Sequence, residues 1–335
     1  MEHLLRKLSS LWIILAIALI IWMLKEPVST LGSKWTLIRN GSSVDQWQDP
    51  ASHLKVLYAK YANDLKVVRQ EIGRALDSTD LKGTFGGDNG MPKAMLYDVE
   101  SEINYLRIRE SRPLHVLEMS PACGYSTLWL LAAIRDNSIG HLYSFDINDC
   151  AVKTLPTSWQ DPKWWTFTKG DASKAFASGS WPVFDFIFID SEHTADFARG
   201  YTRFLLDAIR NTKAIPVSVH DIYGMTCSLD STPTPEGVVV LEWLAYSQRG
   251  SNVFTPSPAK EPALWNTISK IRKEHTIEGA LSPAVKKYGE CSPTLFFHLL
   301  PPLGRARRPV AGDDSYLANC KKVCSASFGL QLVCC

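Results

Sequence analysis

The stretch "VLEMSPACGYSTLWLL", residues Val116 to Leu131, decides the fold. It starts as an apolar strand, reaches an acid at Glu118, and runs through small and turn-forming residues into an apolar helical segment. Strand, tight turn and helix in this order usually form a nucleotide-binding unit, because turn amides and a helix N-terminus gather at the strand's end; an ordinary core turn is the alternative. Such turns usually hold several glycines. Here Gly124 is one, while Ser120 and Ala122 stand at the alternate positions before it. Each carries a Cβ and takes a positive φ less cheaply than glycine does. Negative φ is therefore expected at Ser120 and Ala122, with Gly124 alone giving close helix-to-ligand approach and Pro121 stiffening the turn.

Downstream of this stretch the pattern repeats. Short apolar runs at 114–119, 141–146, 164–168, 184–190, 214–220 and 294–299 alternate with helical segments. The helices are expected at 124–135, 172–177, 194–210, 235–247 and 262–275, with an ill-defined one after Asn148. This alternation predicts an α/β domain over 113–300 with a parallel sheet covered on both faces. Upstream, Leu54, Leu57, Tyr58, Tyr61, Leu65, Val68, Ile72 and Leu76 step by three and four along one helical stripe. A second stripe uses Leu96, Val99, Ile103 and Leu106, and a glycine-rich loop at 83–92 lies between the two helices. Residues 51–112 thus read as a helical cap.

The ends of the chain differ from its middle. Residues 8–24 carry no charge and lie between Arg6-Lys7 and Lys25-Glu26, just long enough to cross a roughly 30 Å hydrocarbon layer. No small-x-small cleavage site follows, so an uncleaved single-pass signal-anchor is expected after a flank at 1–7, with a polar stalk over 25–50. Basic residues flank the span on both sides and leave its orientation open. Asn40-Gly41-Ser42 is a glycosylation sequon if the C-terminal side is lumenal. The 301–335 tail is expected to be loosely ordered and holds Cys320, Cys324, Cys334 and Cys335. Cys123, Cys150, Cys227 and Cys291 are scattered and outline no disulfide framework. A net charge of +2 over 335 residues gives no basic face for nucleic acid.

In open α/β sheets, ligands bind past the C-terminal strand ends. Five successive candidate strands end on acids or histidine: Glu118, Asp146, Asp171, Asp190 and the pair His220-Asp221. Asp146 is placed to accept both hydroxyls of a ribose. Asp171-Ala172 puts a carboxylate and a helix start where an adenine amino group would sit; Asp171 as a plain helix cap is the alternative. Asp190 with His220 or Asp221 would hold a hard divalent cation. His193 lies one turn beyond Asp190. It is either a general base toward a substrate hydroxyl or an ordinary helix-start histidine.

These residues resemble the class I S-adenosylmethionine-dependent methyltransferases. Within them they resemble the small-molecule O-methyltransferase branch of catechol O-methyltransferase-like and cephalosporin/sugar O-methylase-like enzymes. The resemblance spans roughly 80–300. Glu118 matches the acid of the first motif, Ser120 and Ala122 replace its first two glycines, and Gly124 matches the third. Asp146, Gly170-Asp171-Ala172 and the Phe184–Asp190 strand match the later motifs. The resemblance implies a Rossmann-like, doubly wound, mostly parallel sheet of about seven strands with an N-terminal helical lid. It implies S-adenosylmethionine as cofactor, a small-molecule or sugar hydroxyl as acceptor, His193 as proton acceptor, and Mg²⁺ at Asp190, His220 and Asp221. Two other readings stay open. A nicotinamide-dependent oxidoreductase shares the acid after the second strand, but no Gly-x-Gly-x-x-Gly is present. A membrane-tethered binding domain without catalysis would also fit the replaced glycines.

Overall fold

The computed structural model describes residues 49–77, 96–177, 181–224 and 232–302. The expected flank, anchor and stalk through residue 48, the 83–92 loop and the tail from 303 lie outside them. Among the described residues no helix is long and apolar enough to cross a membrane.

Two helices come first, α1 (Pro50–Asp77) and α2 (Asp98–Ser111). Next come β1 (His115–Met119), α3 (Tyr125–Asn137), β2 (His141–Asp146), α4 (Cys150–Thr154), β3 (Trp165–Lys169), α5 (Ala172–Ala177) and β4 (Phe186–Ile189). They are followed by α6 (Ala195–Tyr201), β5 (Ile215–Val219), α7 (Pro235–Ser247), β6 (Gly250–Phe254), α8 (Pro262–Glu274), α9 (Pro283–Tyr288) and β7 (Leu295–Leu299). The strands form one seven-stranded sheet in the order β3-β2-β1-β4-β5-β7-β6. β1 to β5 are parallel; β7 runs antiparallel between β5 and β6. Strand order reverses at β1 and β4, which opens a crevice beyond their C-terminal ends.

Side chains alternate across this sheet as the pleat requires. Val116, Leu142, Phe186, Phe188 and Phe296 pack with α1, α2, α3 and α8. Leu117, Met119, Ile187, Ile189, Val217 and Phe297 face the opposite way, toward α5, α6 and α7. The two-faced burial explains why the central strands are nearly continuous apolar runs.

Four expectations change. The helices over 50–111, expected as a cap beside the 113–300 domain, share its core: Leu54, Leu57, Tyr58, Val99, Ile103 and Leu106 are buried in the same cluster as the sheet. α2 is buried around most of its circumference, although Asp98, Glu100, Glu102, Asn104 and Arg107 lie on it. The helix expected over 194–210 is α6 followed by a wider π-helical turn at Thr202–Leu206. β6, with the polar sequence Gly-Ser-Asn-Val-Phe, escapes the apolar-run criterion because it pairs only with β7.

Candidate active site

The turn after β1 is built on the neighbouring strand. The Ser120 amide donates to the Phe145 carbonyl at 2.7 Å, and the Gly124 amide to the Pro121 carbonyl at 2.7 Å. Ser120 has φ 65° and Ala122 φ 48°. This overturns the expected negative φ at both. The two small residues keep a left-handed backbone despite their Cβ atoms, and Pro121 sits between them. Gly124 follows at φ 96°, where an added Cβ would lie 2.8 Å from the Leu155 side chain. The close approach at Gly124 is therefore to α4's flank, and substitution there is strained twice over.

Glu118 is also corrected. Its carboxylate is fully buried, not turned into the cleft. Ser126 donates to Oε1 at 2.6 Å, and Thr127 and Ser144 donate to Oε2 at 3.0 and 2.5 Å. Glu118 thus staples β1, β2 and the first turn of α3 together. Burial raises its pKa to about 7 against three hydroxyl donors that pull it down.

Asp146 closes β2. Its Oδ2 accepts the Ala122 amide at 3.0 Å and its Oδ1 the Asn148 amide at 2.8 Å. This carboxylate orients the turn and still has acceptor lone pairs at the cleft. Asp171 precedes α5 and lies 3.8 Å from the Lys174 ammonium; Ala172 is buried in the sheet's second cluster. The turn is further tied down by a disulfide between Cys123 and Cys150, with Cα atoms 4.6 Å apart. Cys291 is likewise disulfide-bonded. The scattered spacing concealed this, because parallel neighbours β1 and β2 bring together residues 27 apart in sequence.

The ends of β4 and β5 carry the other half of the site. The His220 amide donates to the Ile189 carbonyl at 2.9 Å, which sets Asp190 beside His220. Asp190 Oδ1 lies 3.0 Å from His220 Nδ1, and Glu100 Oε1 of α2 lies 2.9 Å from His220 Nε2. His193 Nδ1 lies 2.7 Å from Glu236 Oε2 at the start of α7, and its Nε2 is 3.4 Å from Asp221 Oδ2. Tyr201 donates to the other Glu236 oxygen at 2.8 Å. His193 and Asp190 remain partly open, at 35% and 24% side-chain exposure, while His220, Asp221 and Glu236 are buried. Burial opposes a charge on His193, but the Glu236 hydrogen bond and the Asp221 carboxylate outweigh it and raise its pKa. On Asp190, burial is outweighed by the His220 charge, and the pKa falls.

The structure thus brings Asp190, His193, His220 and Asp221 into one cluster, and gathers Ser120, Ala122, Gly124 and Asp146 at the neighbouring turn. Glu236 and Glu100 were not foreseen. Each lies inside a helical stretch far along the chain, and only the fold brings it to a histidine. His220 does not fit the expected Mg²⁺ site. Both ring nitrogens of His220 already face carboxylate oxygens, which leaves no imidazole lone pair for a metal. Among the described residues no group of three or more His, Cys, Asp or Glu is arranged to hold a metal ion.

Residues 118–222 match a family profile described as a methyltransferase domain. No curated protein matches the chain by sequence. Solved structures that match the chain include the O-methyltransferase from Bacillus cereus in complex with SAH. It is 12% identical, with 70% of this chain and 90% of that chain covered and a TM-score of 0.47. The O-methyltransferase TomG from Streptomyces achromogenes, involved in tomaymycin synthesis and bound to SAM, is 15% identical. There 67% of this chain and 91% of that chain are covered, with a TM-score of 0.44. The SAH-bound methyltransferase PaMTH1 from Podospora anserina is 14% identical, with coverage of 78% and 99% and a TM-score of 0.39.

Proposed function

We propose that the protein is a class I, S-adenosylmethionine-dependent methyltransferase that methylates a hydroxyl oxygen of a small molecule or sugar, a reading supported by the match of residues 118–222 to a methyltransferase-domain profile. The observation that carries this is the partly exposed His193–Glu236 pair, three residues past Asp190 at the end of β4. With Nδ1–H donated to Glu236, Nε2 is the nitrogen left to take a proton. The acceptor oxygen attacks the sulfonium methyl carbon. The C–O bond forms as the C–S bond breaks, and the hydroxyl proton passes to His193. The turn and Asp146 hold the cofactor's ribose, Asp171 with the Ala172 backbone borders the adenine, and Asp190 orients the acceptor. Alignment of nucleophile, methyl and sulfur supplies most of the acceleration.

Calorimetry with S-adenosylmethionine and with NAD, followed by a methyl-transfer screen over hydroxylated acceptors, tests the reading. S-adenosylmethionine binds and NAD does not; the reverse result would overturn it. His193→Ala keeps cofactor affinity and loses turnover by about 10²- to 10⁴-fold. Glu236→Gln lowers the pH midpoint of the His193 ring in an NMR titration, since the carboxylate that raises it is gone.

The location belongs to the same proposal. Residues 8–24 anchor the protein in a membrane, and the domain lies on the oxidising, lumenal side. This is supported by the Cys123–Cys150 disulfide, the bonded Cys291 and the sequon at Asn40. S-adenosylmethionine made in the cytosol would then have to be carried across the membrane.

A further inference from the structure

The row of strand ends that would carry a divalent cation holds a histidine instead, and that histidine's surroundings are unusual. His220 is buried to 1% exposure with a carboxylate at hydrogen-bond distance from each ring nitrogen. Glu100 is committed as an acceptor. Its Oε1 also receives the Tyr97 amide at 2.7 Å, and its Oε2 receives the Thr294 amide at 3.2 Å and the Thr294 hydroxyl. Both Glu100 oxygens therefore already accept hydrogen bonds besides facing the ring. A third carboxylate oxygen, Asp221 Oδ1, lies 3.5 Å from Nδ1 and has no hydrogen-bond partner among the described residues. The groups facing the ring are thus Glu100 from α2, Asp190 from β4's end and Asp221 from its own turn, with His193 beyond Asp221. Three buried or half-buried carboxylates around one point demand a cation, because unpaired buried charge is costly.

We propose that the His220 imidazolium, clamped between Glu100 and Asp190, is a built-in cation that takes the place of a divalent metal ion at the ends of β4 and β5. His220 does not reach the crevice; it is a positioning residue. It fixes Asp190 as an ionised, oriented carboxylate whose second oxygen is left for the acceptor. Two further observations agree. Nearby carboxylates hold the His220 pKa well above its usual value in spite of burial. The lowered Asp190 pKa is the other side of the same contact.

The test needs no acceptor. In wild-type protein, ¹⁵N NMR of the histidine rings at pH 8 shows protons on both His220 nitrogens. Titration with Mn²⁺, followed by electron paramagnetic resonance, shows no saturable loss of the free-ion signal. His220→Asn leaves the three carboxylates without their cation and gains saturable Mn²⁺ binding, which the added Asp190→Asn change removes. An unprotonated His220 nitrogen at pH 8, or Mn²⁺ binding by wild type that Asp190→Asn abolishes, would overturn the proposal. Both wild-type measurements stand even if the variants fail to fold. The inference rests on the reading of the crevice as an acceptor site only for its purpose. S-adenosylmethionine affinity, measured on the same wild-type protein, reports on that reading and not on His220.

Discussion

Ala122, at φ 48°, has the backbone of a glycine and the side chain of an alanine. A left-handed conformation costs a residue with a Cβ about 1 kcal/mol or more. Ala122→Gly and Ser120→Gly are each expected to stabilise the fold by up to about 1 kcal/mol, less the entropy that glycine adds to the unfolded chain. Thermal unfolding monitored by circular dichroism reads the change, and a lowered Tm would mean that the Cβ atoms hold the turn. Glu118 gives a pH-dependent expectation. Its folded pKa is about 7 against 4.5 for an ordinary glutamate. Proton binding therefore favours the folded state: the contribution is complete below pH 4.5 and is lost as pH rises through about 7. That gap corresponds to about 3 kcal/mol. Glu118→Gln lacks the loss, so in denaturant unfolding the variant gains on wild type between pH 5 and pH 8. An equal difference at both pH values would show that Glu118 titrates normally.

At the scale of elements, the β1 turn and α4 are joined by covalent and packing contacts. Thr154 donates to the Cys123 carbonyl at 2.7 Å, next to the Cys123–Cys150 bond. A loop of 27 residues closed by a disulfide corresponds to about 3.5 kcal/mol in the chain-entropy account. Reduction, or the pair Cys123→Ser and Cys150→Ser, is expected to lower stability by roughly that amount and to weaken S-adenosylmethionine binding in calorimetry. Unchanged affinity would separate the bond from the cofactor turn. The bond also marks where sequence reading stops. β1, β2, β4 and β5 were legible because strands buried on both faces are mostly apolar. The strand-end acids were legible because they follow those runs directly. The pairings around α2 were not. Tyr58 and Arg69 reach Glu102 from 44 and 33 residues away, Arg272 from 170, and Thr294 reaches Glu100 across 194. On paper α2 is an amphipathic helix with a charged face; in the fold Asp98, Glu100, Glu102 and Arg107 each have a buried partner.

For the whole molecule, the proposed placement on the oxidising side of a membrane predicts two modifications in protein isolated from a eukaryotic host. Non-reducing peptide mass mapping finds Cys123 linked to Cys150, and the Asn40 peptide carries a glycan. Free thiols and an unmodified Asn40 would put the domain on the cytosolic side. Arg107 raises a separate question, of where the catalytic unit begins. Its guanidinium, on α2, donates to the carbonyl of Val217 on β5 at 2.9 Å and to that of Phe297 on β7 at 2.6 Å. The stretch matched as a methyltransferase domain, 118–222, contains neither α2 nor β7. Evolutionary recognition and physical autonomy therefore have different borders here. The shorter stretch bears the signature, but cutting the chain at its limits would sever the bracing that spans its own sheet.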